Sequence, residues 1–173
     1  RAMDHGIVAH AIIDTWEDEP DFRTELLECS FIATPHIAGY SYEGKYMGTV
    51  MVYREACRFL GVPATWTPDA LLPPPAVPRL TADPSGSVQD VLWNLVHRVY
   101  DITSDDQRMR AFPPRATEQI RRAHFDALRK EYPIRREFPF TNVNARSTIK
   151  EVQSAIQGLG FSLSRKTIKK DSL

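Results

Sequence analysis

A chain of 173 residues with 42% hydrophobic side chains is long enough to bury one large core or two small ones. Its 22 Lys and Arg balance 22 Asp and Glu, so no net field concentrates nucleic acid or an anionic membrane, and both are disfavoured as partners. No apolar run reaches the ~20 residues that cross a bilayer, and two cysteines without a second pair or a histidine cluster argue against a disulfide scaffold or a zinc site and suit a reducing cytoplasm.

The first residues lack the basic-then-apolar layout of a signal peptide. A strand pattern begins close behind Arg1, which leads us to expect further sequence upstream. Residues 7–13 are apolar except for His10 and end at Asp14, a pattern that predicts a strand covered on both faces in a parallel sheet. In open parallel sheets ligands bind beyond the carboxyl ends of the strands. That position holds Asp14-Thr15-Trp16 and the acidic loop Glu17-Asp18-Glu19-Pro20. A short helix is predicted over 22–28 and a second strand over 31–34, ended by Pro35. The loop 36–40 that follows is expected to face the same cleft as the acidic loop.

A long helix is predicted over 41–60, with Ser41 as N-cap, a stripe of Tyr46, Val50, Tyr53, Cys57 and Leu60, and Gly61 as its stop. The stretch 63–84, with Pro73-Pro74-Pro75, reads as a semi-rigid connector and a domain boundary. Beyond it, Ser87 and Asp90 have capping-box spacing, and Val88, Val91, Leu92, Leu95, Val96 and Val99 form one apolar helix face. Further helices are predicted over 117–130 and 148–159, the second closed by Gly160. Strands are predicted over 137–143, with a proline edge, and over 161–163. The domains are therefore expected at 1–62 and 85–163, joined by 63–84, with a polar, basic and disordered tail over 164–173.

His36 stands between Pro35 and the small residues Ala38 and Gly39, where an imidazole can project into a cleft while the backbone lies close to a ligand. Taken alone, a loop histidine is more often structural or merely exposed than catalytic, so the catalytic reading of His36 rests on its context. Glu19, at a neighbouring strand end, is the carboxylate that could fix its tautomer and stabilise its protonated form, as a general base requires. Glu17, Asp18 and Glu19 also suit a plain solvated turn. Asp14, an acid at the end of an apolar run, must reach solvent or find donors; it could hold a ligand amide or cap a turn. Tyr40 shares the His36 loop, either facing a ligand or anchoring the long helix. His97 and His124, on helices, and His5 and His10 read as structural or exposed. No histidine pair at i and i+4 and no nucleophile elbow is present, so metal and acyl chemistry are disfavoured.

Ile12-Ile13-Asp14-Thr15-Trp16-Glu17-Asp18-Glu19-Pro20 followed by Ala33-Thr34-Pro35-His36-Ile37-Ala38-Gly39-Tyr40 closely resembles the last third of D-2-hydroxyacid dehydrogenases. The stretches Ser41-Tyr42-Glu43-Gly44-Lys45, Leu71-Leu72-Pro73-Pro74-Pro75, Val99-Tyr100-Asp101-Ile102 and Arg135-Arg136-Glu137 resemble in particular the branch acting on 4-phosphoerythronate, as does Phe125-Asp126-Ala127-Leu128-Arg129-Lys130. The resemblance implies an α/β fold: the C-terminal part of a Rossmann-type NAD-binding domain with a hinge helix, then a small α+β dimerisation domain. It also implies His36 as catalytic acid/base, Glu19 as its partner, Asp14 and Gly39 against NAD, and Tyr40 against a small phosphorylated hydroxy acid. A homodimer is implied too. The family's substrate-gripping arginine and glycine-rich pyrophosphate turn have no counterpart in this sequence. Two other readings stay open: an inactive fragment that serves only in dimerisation, or a relative acting on another hydroxy acid such as phosphoglycerate, against which the C-terminal module argues.

Overall fold

The computed structural model describes residues 2–3, 5–68 and 71–164; the expected disorder of the tail falls almost wholly outside them. The chain is mixed α/β with parallel sheets and forms two compact units, one of residues 1–40 and 101–134, the other of 41–100 and 135–173.

In the first unit, β1 (Ile12–Ile13) pairs in parallel with β2 (Ile32–Ala33), and α1 (Thr24–Cys29) lies between them in sequence. The strand predicted over 7–13 is thus only two residues long. Ile7, Val8 and Ile12 are exposed, because among the described residues β1 has a neighbour on one edge alone and no layer over these side chains. The core gathers Trp16, Phe22, Leu27 and Ala33 with Met109 of α4 (Ile102–Arg110) and Phe125 of α5 (Glu118–Lys130). Phe22 lies at its centre, its ring centroid 5.4 Å from that of Trp16 and 5.5 Å from that of Phe125, the spacing of favourable tilted aromatic pairs. Residues 101–134, grouped with the C-terminal domain on sequence grounds, therefore pack with the first forty residues.

A polar clamp completes that packing. Arg110 donates to the carbonyls of Leu27 and Ser30 at 2.8 and 2.9 Å and pairs with Asp106, whose Oδ1 accepts the Ala33 amide at 2.7 Å. The helix α4 was not anticipated. It starts where Asp101 accepts the amides of Thr103 and Ser104, and few of its residues are apolar, so its helical character rests on this cap and on tertiary bonds.

The second unit opens with α2 (Tyr42–Leu60), capped as expected: Ser41 accepts the Gly44 amide, and Gly61 ends the helix at φ +67°. Val50 and Cys57 of the predicted stripe are buried, whereas Leu60 is exposed. The proline-rich stretch is more than a connector, because it contains β3 (Arg79–Thr81). With β4 (Asn142–Asn144) and β5 (Ser162–Leu163) it builds a parallel sheet in the order β3-β4-β5, Leu80 lying opposite Val143 and Val143 opposite Leu163. One sheet face packs on α3 (Val88–Val99) and α6 (Lys150–Gly158) through Leu80, Val143, Val91, Leu95, Val152 and Ile156. The capping box of Ser87 and Asp90 is formed in full. The strand expected over 137–143 begins instead as a 3-10 turn, Phe138–Phe140, since Pro139 cannot donate to a ladder.

Candidate active site

The two loops that follow β1 and β2 meet. His36 Nδ1 lies 2.6 Å from Glu19 Oε2, while Glu19 Oε1 accepts the Trp16 amide at 2.7 Å. A carboxylate only accepts, so Nδ1 carries the proton of this bond, and whenever the ring is neutral the lone pair lies on Nε2. Glu19 is largely covered and the imidazole is partly open, which leaves one ring nitrogen for a ligand.

The loop is held by Asp14. Its Oδ1 accepts the Thr34 hydroxyl at 2.7 Å and the Ile37 amide at 2.8 Å, and its Oδ2 accepts the Ala38 amide at 3.0 Å. These bonds hold His36 at φ +55°, a left-handed conformation that a side chain rarely adopts unless its surroundings impose it and that recurs at working sites. Trp16 braces the other side, its indole N–H donating 2.8 Å to the Thr34 carbonyl. Sequence reasoning missed Trp16 and Thr34 as site builders. The signal for Trp16 was its place inside the Asp14-to-Glu19 motif; for Thr34 there was none, since its bonds depend on the register of two strands.

Burial works to raise the Asp14 carboxyl, but the Thr34 hydroxyl, the Ile37 and Ala38 amides and the charge of His36 together hold it below its ordinary 3.8. A depressed folded-state value means the acid binds protons more readily when unfolded. Its contribution is fully present above the unfolded value and is lost as pH falls through the folded one. We expect Asp14→Asn to flatten the acid limb of the stability profile below about pH 4, measured by thermal melts at stepped pH. An unchanged limb would show that Asp14 does not organise the loop.

The other candidates fall close by. Gly39, at φ +78°, has nothing within 4 Å of where a Cβ would stand, so the left-handed turn and the open space both suit glycine and a close ligand. Tyr40 is half-buried, its ring edge-on to Tyr132 at 5.6 Å. The Tyr132 hydroxyl donates to Asp105 at 3.0 Å, and Asp105 pairs with Arg108, a brace under Tyr40 that the sequence did not reveal. Of the remaining histidines, His124 bonds the Arg108 carbonyl at 2.8 Å, His97 stacks on Trp93, and His10 lies beside Phe31. Among the described residues no group of three His, Cys, Asp or Glu is placed to hold a metal, and no helix is long and apolar enough to cross a membrane. Both cysteines are free thiols.

A family model described as "Domain of unknown function (DUF3410)" matches residues 71–160, just over half of the chain. The chain belongs to the DUF3410 family. Curated relatives extend the likeness over the His36 loop. The erythronate-4-phosphate dehydrogenase of Marinobacter nauticus is 37% identical over 152 residues, covering 88% of this chain and 39% of its own length. That of Azotobacter vinelandii is 41% identical over 150 residues, covering 87% and 39%, and that of Proteus mirabilis 38% over 165 residues, covering 95% and 42%. This DUF3410 member thus resembles erythronate-4-phosphate dehydrogenases over nearly all of its sequence, and it spans about two fifths of their length.

Proposed function

We propose that this chain carries the acid–base pair of an NAD-dependent dehydrogenase that oxidises the C2 hydroxyl of 4-phospho-D-erythronate to 2-oxo-3-hydroxy-4-phosphobutanoate, a step toward pyridoxal phosphate. The observation that carries the proposal is the 2.6 Å bond from His36 Nδ1 to a Glu19 carboxylate that is itself anchored on the Trp16 amide. The names of the relatives support the substrate.

The residues present suit a nicotinamide. A carboxylate offers about four acceptor positions, and three on Asp14 are filled, two at Oδ1 and one at Oδ2. Oδ2 therefore keeps a position for a carboxamide N–H. Gly39, without a Cβ and facing open space, allows close approach at the next bend of the same loop. When bound, NAD supplies the acceptor for the C2 hydride.

The chain's own residues manage the proton. His36 Nε2 takes it from the C2 hydroxyl as the carbonyl forms, and the ring becomes imidazolium. Glu19, already negative and fixed by the Trp16 amide, stabilises that charge without reorganising. Tyr40 contacts the substrate and is steadied by Tyr132. In this reading the first unit completes a Rossmann-type domain, the DUF3410 part serves a cytoplasmic homodimer, and the exposed apolar residues Met51, Val52, Phe59 and Leu60 of α2 support burial against a further surface.

The test is a substrate panel on the full-length gene product, followed by the appearance of NADH. Turnover is expected with 4-phosphoerythronate and not with 3-phosphoglycerate. Preference for phosphoglycerate would move the protein to another branch of the family. No turnover with either, together with absent NAD binding by calorimetry and a stable dimer by light scattering, would leave only a dimerisation module.

A further inference from the structure

Of the run Arg135-Arg136-Glu137, the middle residue turns inward to its salt bridge with Glu43. The backbone there is extended: Arg135 bridges Ser41 in parallel, and Glu137 lies at φ −76° and ψ 167°. Alternation along such a stretch sends Arg135 and Glu137 to the side opposite Arg136. They line a cavity of about 350 Å³ with Phe138, Pro139, Leu159 and Gly160, all within the second unit. The two charged groups are half-buried, and they stand apart across the cavity instead of pairing with each other.

Each group is held in place yet keeps bonding capacity. The Arg135 guanidinium lies over the Tyr100 ring, its central carbon 4.2 Å from the ring centre, a contact that fixes the side chain without engaging its N–H donors. Among the described residues it donates no hydrogen bond and forms no ion pair; its Nε is enclosed, and Nη1 and Nη2 stay open. Glu137 Oε1 accepts the Ser41 hydroxyl at 2.7 Å, and Oε2 accepts nothing among the described residues. A fixed cation and a fixed anion, set apart beside Phe138, Pro139 and Leu159, complement a molecule that carries both charges on one short frame. We infer that this cavity binds a free α-amino acid with an apolar side chain, its carboxylate on Arg135, its ammonium on Glu137 and its side chain on Phe138, Pro139 and Leu159. A guanidinium fork matches a carboxylate, and the C-terminal end of α6, which borders the cavity at Leu159 and Gly160, favours a cation. A ligand with a single charge would cover one of the two groups without replacing its water. The volume stands at the low end of the ~300–1,000 Å³ of ligand pockets, which suits a small molecule. The inference is independent of the His36 pair, which belongs to the first unit.

Nitrogen-15-labelled chain titrated with L-leucine at neutral pH and constant ionic strength tests the site. Saturable shifts are expected at the amides of Glu137, Phe138, Leu159 and Gly160. N-acetyl-leucine lacks the ammonium and leucinamide lacks the carboxylate, so each should bind the unaltered chain about tenfold more weakly, the usual effect of losing one charged hydrogen bond. Glycine, without an apolar side chain, should also bind more weakly than leucine. Arg135→Gln and Glu137→Gln should each weaken leucine by about tenfold and leave the dispersion of the remaining amides unchanged; the second keeps an acceptor for the Ser41 hydroxyl. The absence of a saturable shift with leucine overturns the inference. It also falls if N-acetyl-leucine binds as tightly as leucine, since the cavity would then take any carboxylate, or if Arg135→Gln binds leucine undiminished. Should a variant fail to fold, the comparison of leucine with its two analogues on the unaltered chain decides.

Discussion

Replacing His36 with alanine is expected to lower the turnover of 4-phosphoerythronate by about 10²–10⁴-fold in the full-length gene product, with NAD affinity spared. The range is what a positioned general base supplies. Binding is spared because the groups assigned to the cofactor, Asp14 and Gly39, do not depend on the imidazole: Asp14 is held by the Thr34 hydroxyl and two backbone amides. Glu19→Gln tests the partner separately, and its effect is expected to be nearly as large for a definite reason. The glutamine carbonyl can replace Glu19 Oε1 as acceptor for the Trp16 amide, which turns its NH2 toward His36 Nδ1. Nδ1 must then accept, the ring proton moves to Nε2, and the base presents the wrong tautomer to the hydroxyl. Steady-state rates with calorimetric NAD titrations measure both variants. Near-normal turnover in His36→Ala would reject the assignment, whereas equal loss of NAD binding would show that the loop had collapsed.

The elements legible in the sequence were those whose stabilising contacts are local. Ser41 with Gly61, and Ser87 with Asp90, mark helix ends through bonds that span four residues or fewer, and each behaves as its spacing predicts. By contrast β3 offers only one inward residue, Leu80, between prolines, and its ladder partner is Asn142–Asn144, some sixty residues later. Nothing local distinguishes it from a linker. For the same reason the return of 101–134 to the first unit was invisible: it rests on Phe125 against Phe22 and on Arg110 against the Leu27 carbonyl, contacts 103 and 83 residues apart in sequence. The site stands between these extremes. His36 and Glu19 were legible as a chemical pair in two motifs, but their supports were not, because Trp16 and Asp14 act through backbone amides that carry no side-chain signature.

The largest effect on stability is expected from Glu43→Ala, which should cost the second unit about 3–5 kcal/mol, the typical result of leaving one member of a buried ion pair alone. Glu43 and Arg136 are each only 7% exposed, and their side chains form a direct salt bridge. Glu43 Oε2 also accepts the Glu137 amide at 2.9 Å, and Arg136 donates to the Pro73 carbonyl at 2.7 Å while its guanidinium lies 3.6 Å from the centre of the Phe140 ring. Three stretches distant in sequence are joined through this pair: the start of α2, the triple-proline turn and the segment that returns after residue 134. Ser41 adds a fourth bond by donating to Glu137 at 2.7 Å. Removing the carboxylate strands the guanidinium among these partners with no anion to balance it. The pair itself need not contribute more than a well-packed apolar substitute, so the double variant Glu43→Leu/Arg136→Met should recover much of the loss. Urea unfolding of the two single variants and the double variant closes the cycle. A single-variant cost below about 1 kcal/mol would mean that the pair is solvated and behaves as a surface salt bridge.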